Sequence, residues 1–173
     1  MTRGLRNNNP LNIRRIVGTV WKGQLAEQND PQFVQFSSME WGIRAAFVIL
    51  QTYRRKYNAT CVEEIIGRWA PKTENNTAEY INGICRLTGY GGKERLSERD
   101  WPALIRAMAM IECGALLPRD VIARGYALYE TLKTKGNEKE QHLGTYPESH
   151  RGSHYGSIDG HHDYELHGRI GSF

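Results

Sequence analysis

The periodic part of this 173-residue chain contains no histidine: all six, His142, His150, His154, His161, His162 and His167, lie at or beyond position 142. A serine- or cysteine-nucleophile enzyme needs an imidazole oriented beside its nucleophile, so that class is excluded unless the tail folds back onto the body. The same absence removes histidine-based zinc sites from the body. Cysteine is scarce as well. Cys61, Cys85 and Cys113 have no CxxC spacing, which argues against a disulfide framework or a thiolate metal site and suits reduced core thiols. No metal or cofactor is expected. There is no GxxxxGK[ST] run, and the glycines of GYGG at 89–92 neither follow a strand pattern nor open a helix, which excludes a phosphate loop. No apolar stretch approaches the ~18 residues of a membrane span. The opening MTRGLRNNNP has no apolar signal region, so the expectation is a chain made in the cytoplasm without its own secretion signal.

What is present is a mild excess of positive charge, 23 Lys+Arg against 19 Asp+Glu, giving a net charge of +4. Such a surface suits an anionic polymer, either nucleic acid or cell-wall glycan, without choosing between them. Residues 1–36 are rich in Asn, Gly, Pro and β-branched residues, with short apolar pieces (LNIRRIV, TVW, FVQF) separated by turn material, and predict loops and a small antiparallel sheet. Ser37 or Ser38 then caps a long amphipathic helix through Tyr57. Thr60 with Glu63 has capping-box spacing ahead of VEEIIGRW, which Pro71 stops. Asn76 with Glu79 repeats the signature before AEYINGICRLTG, with Gly89 as its stop. Ser97 with Asp100 starts a helix from Trp101 to about Cys113, and Pro118 suits the first turn of a last one, RDVIARGYALYETLK.

The expected fold is therefore α+β, mainly α-helical: a small N-terminal sheet and about five helices around one core, in a domain spanning 1–133. Residues 134–173 change character. A charged link leads into a His-, Gly-, Ser- and Tyr-rich tail, which reads as a flexible or partner-docking segment rather than a metal site.

With nucleophile and metal chemistry set aside, carboxylates remain. On the 101–113 helix, Trp101, Leu104, Ile105, Met108 and Ile111 form an apolar stripe, and Glu112 sits four residues after Met108, extending that buried face. Apolar surroundings and a helix C-terminus both disfavour its ionised form and raise its pKa, as a general acid requires. The competing reading is a carboxylate at the stripe's edge that reaches solvent where the helix ends.

Several stretches carry a family resemblance. IRAMAMIECG resembles the catalytic helix of lysozyme-like enzymes, particularly lytic transglycosylases and glucosaminidases, in which an apolar helix ends in Glu followed by a small residue and Gly; here Cys113 stands where Ser is more usual. NNPLNIR, then VWKGQ, then FVQFSSMEWGIRAAFVILQTY, resembles the glucosaminidase segment that passes through an Asn-Asn motif, a Trp-Lys-Gly and a Phe-x-x-Phe-x-Ser before a long helix. The order is inverted, since in those enzymes the glutamate helix comes first. A circular permutation reconciles the two. RGLRNNNPLNIRR, with RWAPKTENNT and YI downstream, also resembles small phage-encoded virion structural proteins placed among lysozyme-like domains.

The resemblance spans roughly residues 3–130 and implies a lysozyme-like fold with Glu112 as proton donor and Asn9 and Asn12 near the substrate. Glycoside cleavage commonly uses a second carboxylate. Glu74, in the interhelical loop beside Asn75 and Asn76, is the candidate, its neighbouring amides available to sugar hydroxyl or acetamido groups; the resemblance to transglycosylases offers the substrate's own acetamido group instead. For TENNT the competing reading is helix capping. Tyr80 occupies a place resembling the active-site Tyr of these families, although an aromatic at helical spacing also suits a core. Of the four tryptophans, Trp41 and Trp101 lie on apolar stripes, while Trp21 and Trp69 are less committed and could stack on sugar rings.

Three functions follow as expectations. The first is a phage or prophage enzyme that cleaves peptidoglycan glycan strands, as a hydrolase or lytic transglycosylase, virion-associated and delivered to the bacterial cell wall. The second is a non-catalytic virion structural or glycan-binding protein, meeting other virion proteins through its tail. The third is a helix-turn-helix-like nucleic-acid binder using Arg54, Arg55, Lys56, Arg68 and Lys72 on phosphates; Arg86 as the only cation of its would-be recognition helix speaks against it.

Overall fold

The computed structural model describes residues 1–72 and 76–137. Glu74, Asn75 and the tail beyond Asn137 lie outside the described residues. Among the described residues six helices follow in order: α1 (Arg3–Arg6), α2 (Met39–Tyr57), α3 (Val62–Trp69), α4 (Thr77–Thr88), α5 (Trp101–Cys113) and α6 (Arg119–Asn137), with a 3-10 turn at Glu98–Asp100.

Local chemistry sets these boundaries. Extended Ser38 precedes α2, and Asn58 ends it in the left-handed conformation at φ 52°. The α3 cap falls one residue later than Thr60/Glu63 spacing suggests: Glu64, not Glu63, reaches back to the backbone N–H of Thr60 (2.7 Å) and Cys61 (3.2 Å). Asn76 accepts from the Glu79 N–H at 3.3 Å to open α4, and Gly89 closes it at φ 80°. Ser97 and Asp100 form a reciprocal capping box ahead of α5, which Gly114 ends at φ 66°.

Eight of the thirteen α5 residues are buried, so this helix is apolar almost all round and runs through the centre. α4 packs on one side of it, with α3 against α4, and the α2/α6 pair packs on another. α6 comes close to α2 because Gly125 has no side chain; a Cβ there would sit 2.5 Å from Ile43 Cγ2. Phe47 fills that junction, edge-on to Tyr126 (5.0 Å) and stacked with Tyr129 (5.6 Å). One continuous apolar cluster links all of these helices with Leu11, Ile13, Val34 and Phe36 of the N-terminal segment.

The N-terminal segment corrects the expected architecture. The α+β, lysozyme-like arrangement with an N-terminal sheet is not what forms: among the described residues only two isolated antiparallel bridges occur, Arg14↔Phe33 and Gln24↔Phe36, and the protein is helical. A few backbone bonds cross, Val34 N–H to the Ile13 carbonyl (2.9 Å) and Arg15 N–H to the Gln32 carbonyl (2.8 Å) among them, and side chains take the place of further ladder partners. Asn9, fully buried, donates to the Ile13 and Val34 carbonyls (2.9 and 2.8 Å) and accepts from the Ile13 N–H (2.8 Å). Asp30 accepts from the Gln32 and Phe33 N–H groups, Gln28 and Gln35 bond each other's stretches, and Asn8 donates to the Phe36 carbonyl. With those groups satisfied locally, extended pairing has little left to gain. Left-handed Asn8 (φ 50°) and Asn12 (φ 49°) also interrupt any continuous strand.

Candidate functional site

Glu112 occupies the last turn of α5 and is 7 % exposed. Three side chains from three other parts of the chain donate to its carboxyl group. Trp69, the final residue of α3, donates through Nε1 to Oε1 at 3.0 Å. Tyr80, one turn into α4, donates its hydroxyl to the same oxygen at 3.1 Å. Asn12, in the N-terminal segment, donates through Nδ2 to Oε2 at 3.1 Å and to the Glu112 main-chain carbonyl at 3.3 Å. That second contact fixes the amide's orientation, because a main-chain carbonyl accepts from nitrogen and not from oxygen.

The loop that carries Asn12 is held with little slack. Its φ of 49° is one that asparagine adopts more readily than most residues. Gly4 packs beneath it; a Cβ at position 4 would lie 2.9 Å from Asn12 Oδ1, 2.9 Å from the Asn9 carbonyl and 3.4 Å from Cys113 Cβ. Thr2 Oγ1 donates to the Cys113 carbonyl at 3.2 Å, fastening the segment to the end of α5. On the α3/α4 side, Thr77 Oγ1 donates to the Ala70 carbonyl at 2.5 Å across the connection between Trp69 and Tyr80.

Burial pushes the Glu112 carboxyl up to about 7 from its usual 4.5, against the opposing pull of the Trp69, Asn12 and Tyr80 hydrogen bonds. The same burial, with the Glu112 charge beside it, holds the Tyr80 hydroxyl well above its usual range, so Tyr80 stays protonated. The partners respond differently when Glu112 takes up a proton. An indole N–H only donates, and the Asn12 amide is oriented to donate; the Tyr80 hydroxyl alone can reverse and accept. Among these three partners the neutral acid thus has one acceptor, Tyr80.

The structure brings Glu112, Asn12 and Tyr80 together as a single cluster. It uses Asn9 differently: all its side-chain hydrogen bonds go to the backbone of residues 13 and 34. Asn76 is occupied as the α4 cap. Glu74 and Asn75 lie in the three-residue stretch outside the described residues. Trp69 is the member that sequence reasoning left uncommitted; its place at the end of VEEIIGRW, two residues before Pro71, was visible, its indole partner was not. The five cations considered for phosphate contact partly gather around Tyr57, with Arg68 3.7 Å and Lys56 5.0 Å from the ring centroid. Among the described residues, no group of three or more His, Cys, Asp or Glu is placed to hold a metal ion, and no helix is long and apolar enough to cross a membrane.

No family model matches the chain. Over 115 residues it is 44 % identical to Protein P5 of Pseudoalteromonas phage PM2, an overlap covering 65 % of this chain and 72 % of that protein. Identity at this level over most of the phage protein reflects common descent, and the chain belongs to the family of phage Protein P5.

Proposed function

We propose that the chain is a phage enzyme that cleaves the glycan strands of peptidoglycan, with Glu112 as general acid. The observation that carries this reading is a buried carboxyl with its pKa near 7, held by Trp69, Tyr80 and Asn12. A group in that range is substantially protonated at neutral pH and loses its proton readily, which suits donation to a glycosidic oxygen as the bond to the sugar carbon breaks. The two fixed donors, Trp69 and Asn12, then stabilise the carboxylate left behind. Tyr80 holds the acid's proton in the resting state. The oxocarbenium-like centre is met either by the substrate's acetamido oxygen or by Glu74, and virion association would deliver the enzyme to the cell wall. The resemblance of IRAMAMIECG and NNPLNIR to glucosaminidase and transglycosylase motifs supports the same chemistry.

The test is clearing of peptidoglycan suspensions by purified protein and by Glu112→Gln, with products identified by mass spectrometry and folding checked by circular dichroism. Clearing by the wild type and not by the folded variant is the expected result, anhydro products marking a transglycosylase. Equal clearing by both would remove Glu112 from the chemistry.

A second reading is favoured by a specific observation: Glu112 is only 7 % exposed and both its oxygens already accept hydrogen bonds. In that reading the carboxyl is a structural pin between four segments, in a non-catalytic virion or glycan-binding protein. Failure of folded wild type to clear several wall types, together with loss of stability in Glu112→Gln, would select it.

A further inference from the structure

A groove of about 630 Å³ lies between the end of α4, the outer face of α5 and the start of α6, lined by none of the Glu112 cluster. Its volume falls within the ~300–1,000 Å³ typical of sites that enclose a ligand. Buried Ala107 and Ile122 form its floor. Leu87 and Leu116 line it while remaining 50 % and 55 % exposed, large apolar side chains presented to water at its mouth.

Its charge is one-sided. Arg99, Arg106 and Arg119 line it, and no acidic residue does. Arg106 spends only Nε inside the fold, on the Leu117 carbonyl at 2.7 Å, which anchors the guanidinium and leaves its two terminal nitrogens unbonded among the described residues. Arg99 and Arg119 have no ion-pair partner among the described residues, whereas nearby Arg124 is paired with Glu40 and Asp120. Arg99, in the 3-10 turn, precedes Arg106 of α5 by seven residues, a helical rise on the order of 10 Å. Guanidinium groups spread over that distance match successive carboxylates along a chain better than one anionic head group, and their planar forks favour carboxylate pairing.

We infer that this groove is a docking site for an acidic amphipathic segment of a partner protein, its apolar side chains seated between Leu87 and Leu116 and its carboxylates on Arg99, Arg106 and Arg119. The recognition is that of a helix laid in a groove, with leucine-type anchors at helical spacing and Glu or Asp beside them. It stands apart from the glycan reading and survives the failure of that reading.

The experiment is fluorescence anisotropy of a labelled synthetic peptide bearing leucines at i, i+3, i+4 and i+7 with glutamates between them, titrated with the full chain. The comparisons are a scrambled peptide of the same composition and a lysine-for-glutamate version. The amphipathic acidic peptide is expected to bind, to weaken as salt rises, and to lose about tenfold in affinity to the Arg99→Glu/Arg119→Glu variant, where two exposed attractions become repulsions. That variant is expected to bind the lysine peptide instead, a gain that a misfolded protein would not show. Equal binding of the scrambled peptide, binding unchanged by the double substitution, or no binding at all would overturn the proposal. So would saturable binding of dodecanoate at the groove with no peptide binding, which would assign it to an acyl chain.

Discussion

Replacing the Glu112 carboxyl by an amide is expected to change stability by an amount that depends on pH. The carboxyl titrates near 7 in the folded protein and near 4.5 when unfolded. Because its folded pKa is raised, the native state binds more protons between those values, so its contribution is fully present below about pH 4.5 and is lost as pH climbs through 7. Each unit of displacement corresponds to about 1.4 kcal/mol, so the full swing is about 3 kcal/mol, of which about 2–3 kcal/mol falls between pH 5 and pH 8. In Glu112→Gln the amide oxygen can still accept from Trp69 and Tyr80, but its nitrogen meets the Asn12 Nδ2 donor head-on. That mismatch costs about 1–3 kcal/mol at every pH. The variant should therefore be less stable than wild type at pH 5, and the gap should close or reverse at pH 8. Urea unfolding followed by tryptophan fluorescence at both pH values measures it, and taking the difference between the two proteins cancels every other titrating group, the tail histidines included. A gap that is the same at pH 5 and pH 8 would refute the reasoning, since Glu112 would then titrate alike in both states.

Two further outcomes follow from the packing. Gly42→Ala places a Cβ 2.1 Å from the Asn8 carbonyl and 3.2 Å from Pro10 Cδ, so it should destabilise by about 3 kcal/mol, while Gly67→Ala, with nothing within 4 Å, should stabilise by about 0.5–1 kcal/mol through helix propensity alone; urea midpoints distinguish them. Asp30 accepts two hydrogen bonds from Arg3 (both 2.7 Å), one from Asn7 (2.8 Å) and two from backbone N–H groups, and the Arg3 contacts above all hold its carboxyl far below the usual range. Its stabilisation is present above the unfolded value of about 4 and is lost as pH falls below it, so the cost of Asp30→Asn should shrink on acidification when thermal midpoints are compared.

The helices were legible because their ends are written in local chemistry. Asn58, Gly89 and Gly114 stop helices by adopting positive φ, and Asn76 and the Ser97/Asp100 pair start them through their own side chains. Those signals act within a few residues. Glu112 was legible for a similar reason: four residues after Met108 it lies on the line of the buried stripe, and of the two readings that spacing left open, burial is the one that forms. What surrounds it was only partly readable. Tyr80 and Asn12 came by resemblance, whereas the Trp69 indole finds Glu112 across 43 residues through the packing of α3 on α4 and of α4 on α5, which no local pattern encodes. The N-terminal sheet failed as an expectation because alternation and turn residues say nothing about which groups satisfy the backbone. The density of Asn, Gln and Asp at 7–12 and 28–35 was the available sign, and those side chains supply the hydrogen bonds a strand partner would have supplied.

The Asn12 amide and the Glu112 carboxyl are separated by 100 positions, and Thr2 and Cys113 by 111. A ribosome working at about 5–20 residues per second leaves the first member of the former pair waiting roughly 5–20 seconds for the second. During that interval Asn12 has no Glu112 to donate to, Thr2 has no Cys113 carbonyl, and Gly4 has no Cys113 Cβ beside it. The N-terminal segment is thus synthesised well before the helix end that it packs on. The environment that lifts the carboxyl's proton affinity does not exist until segments this far apart in the chain have met.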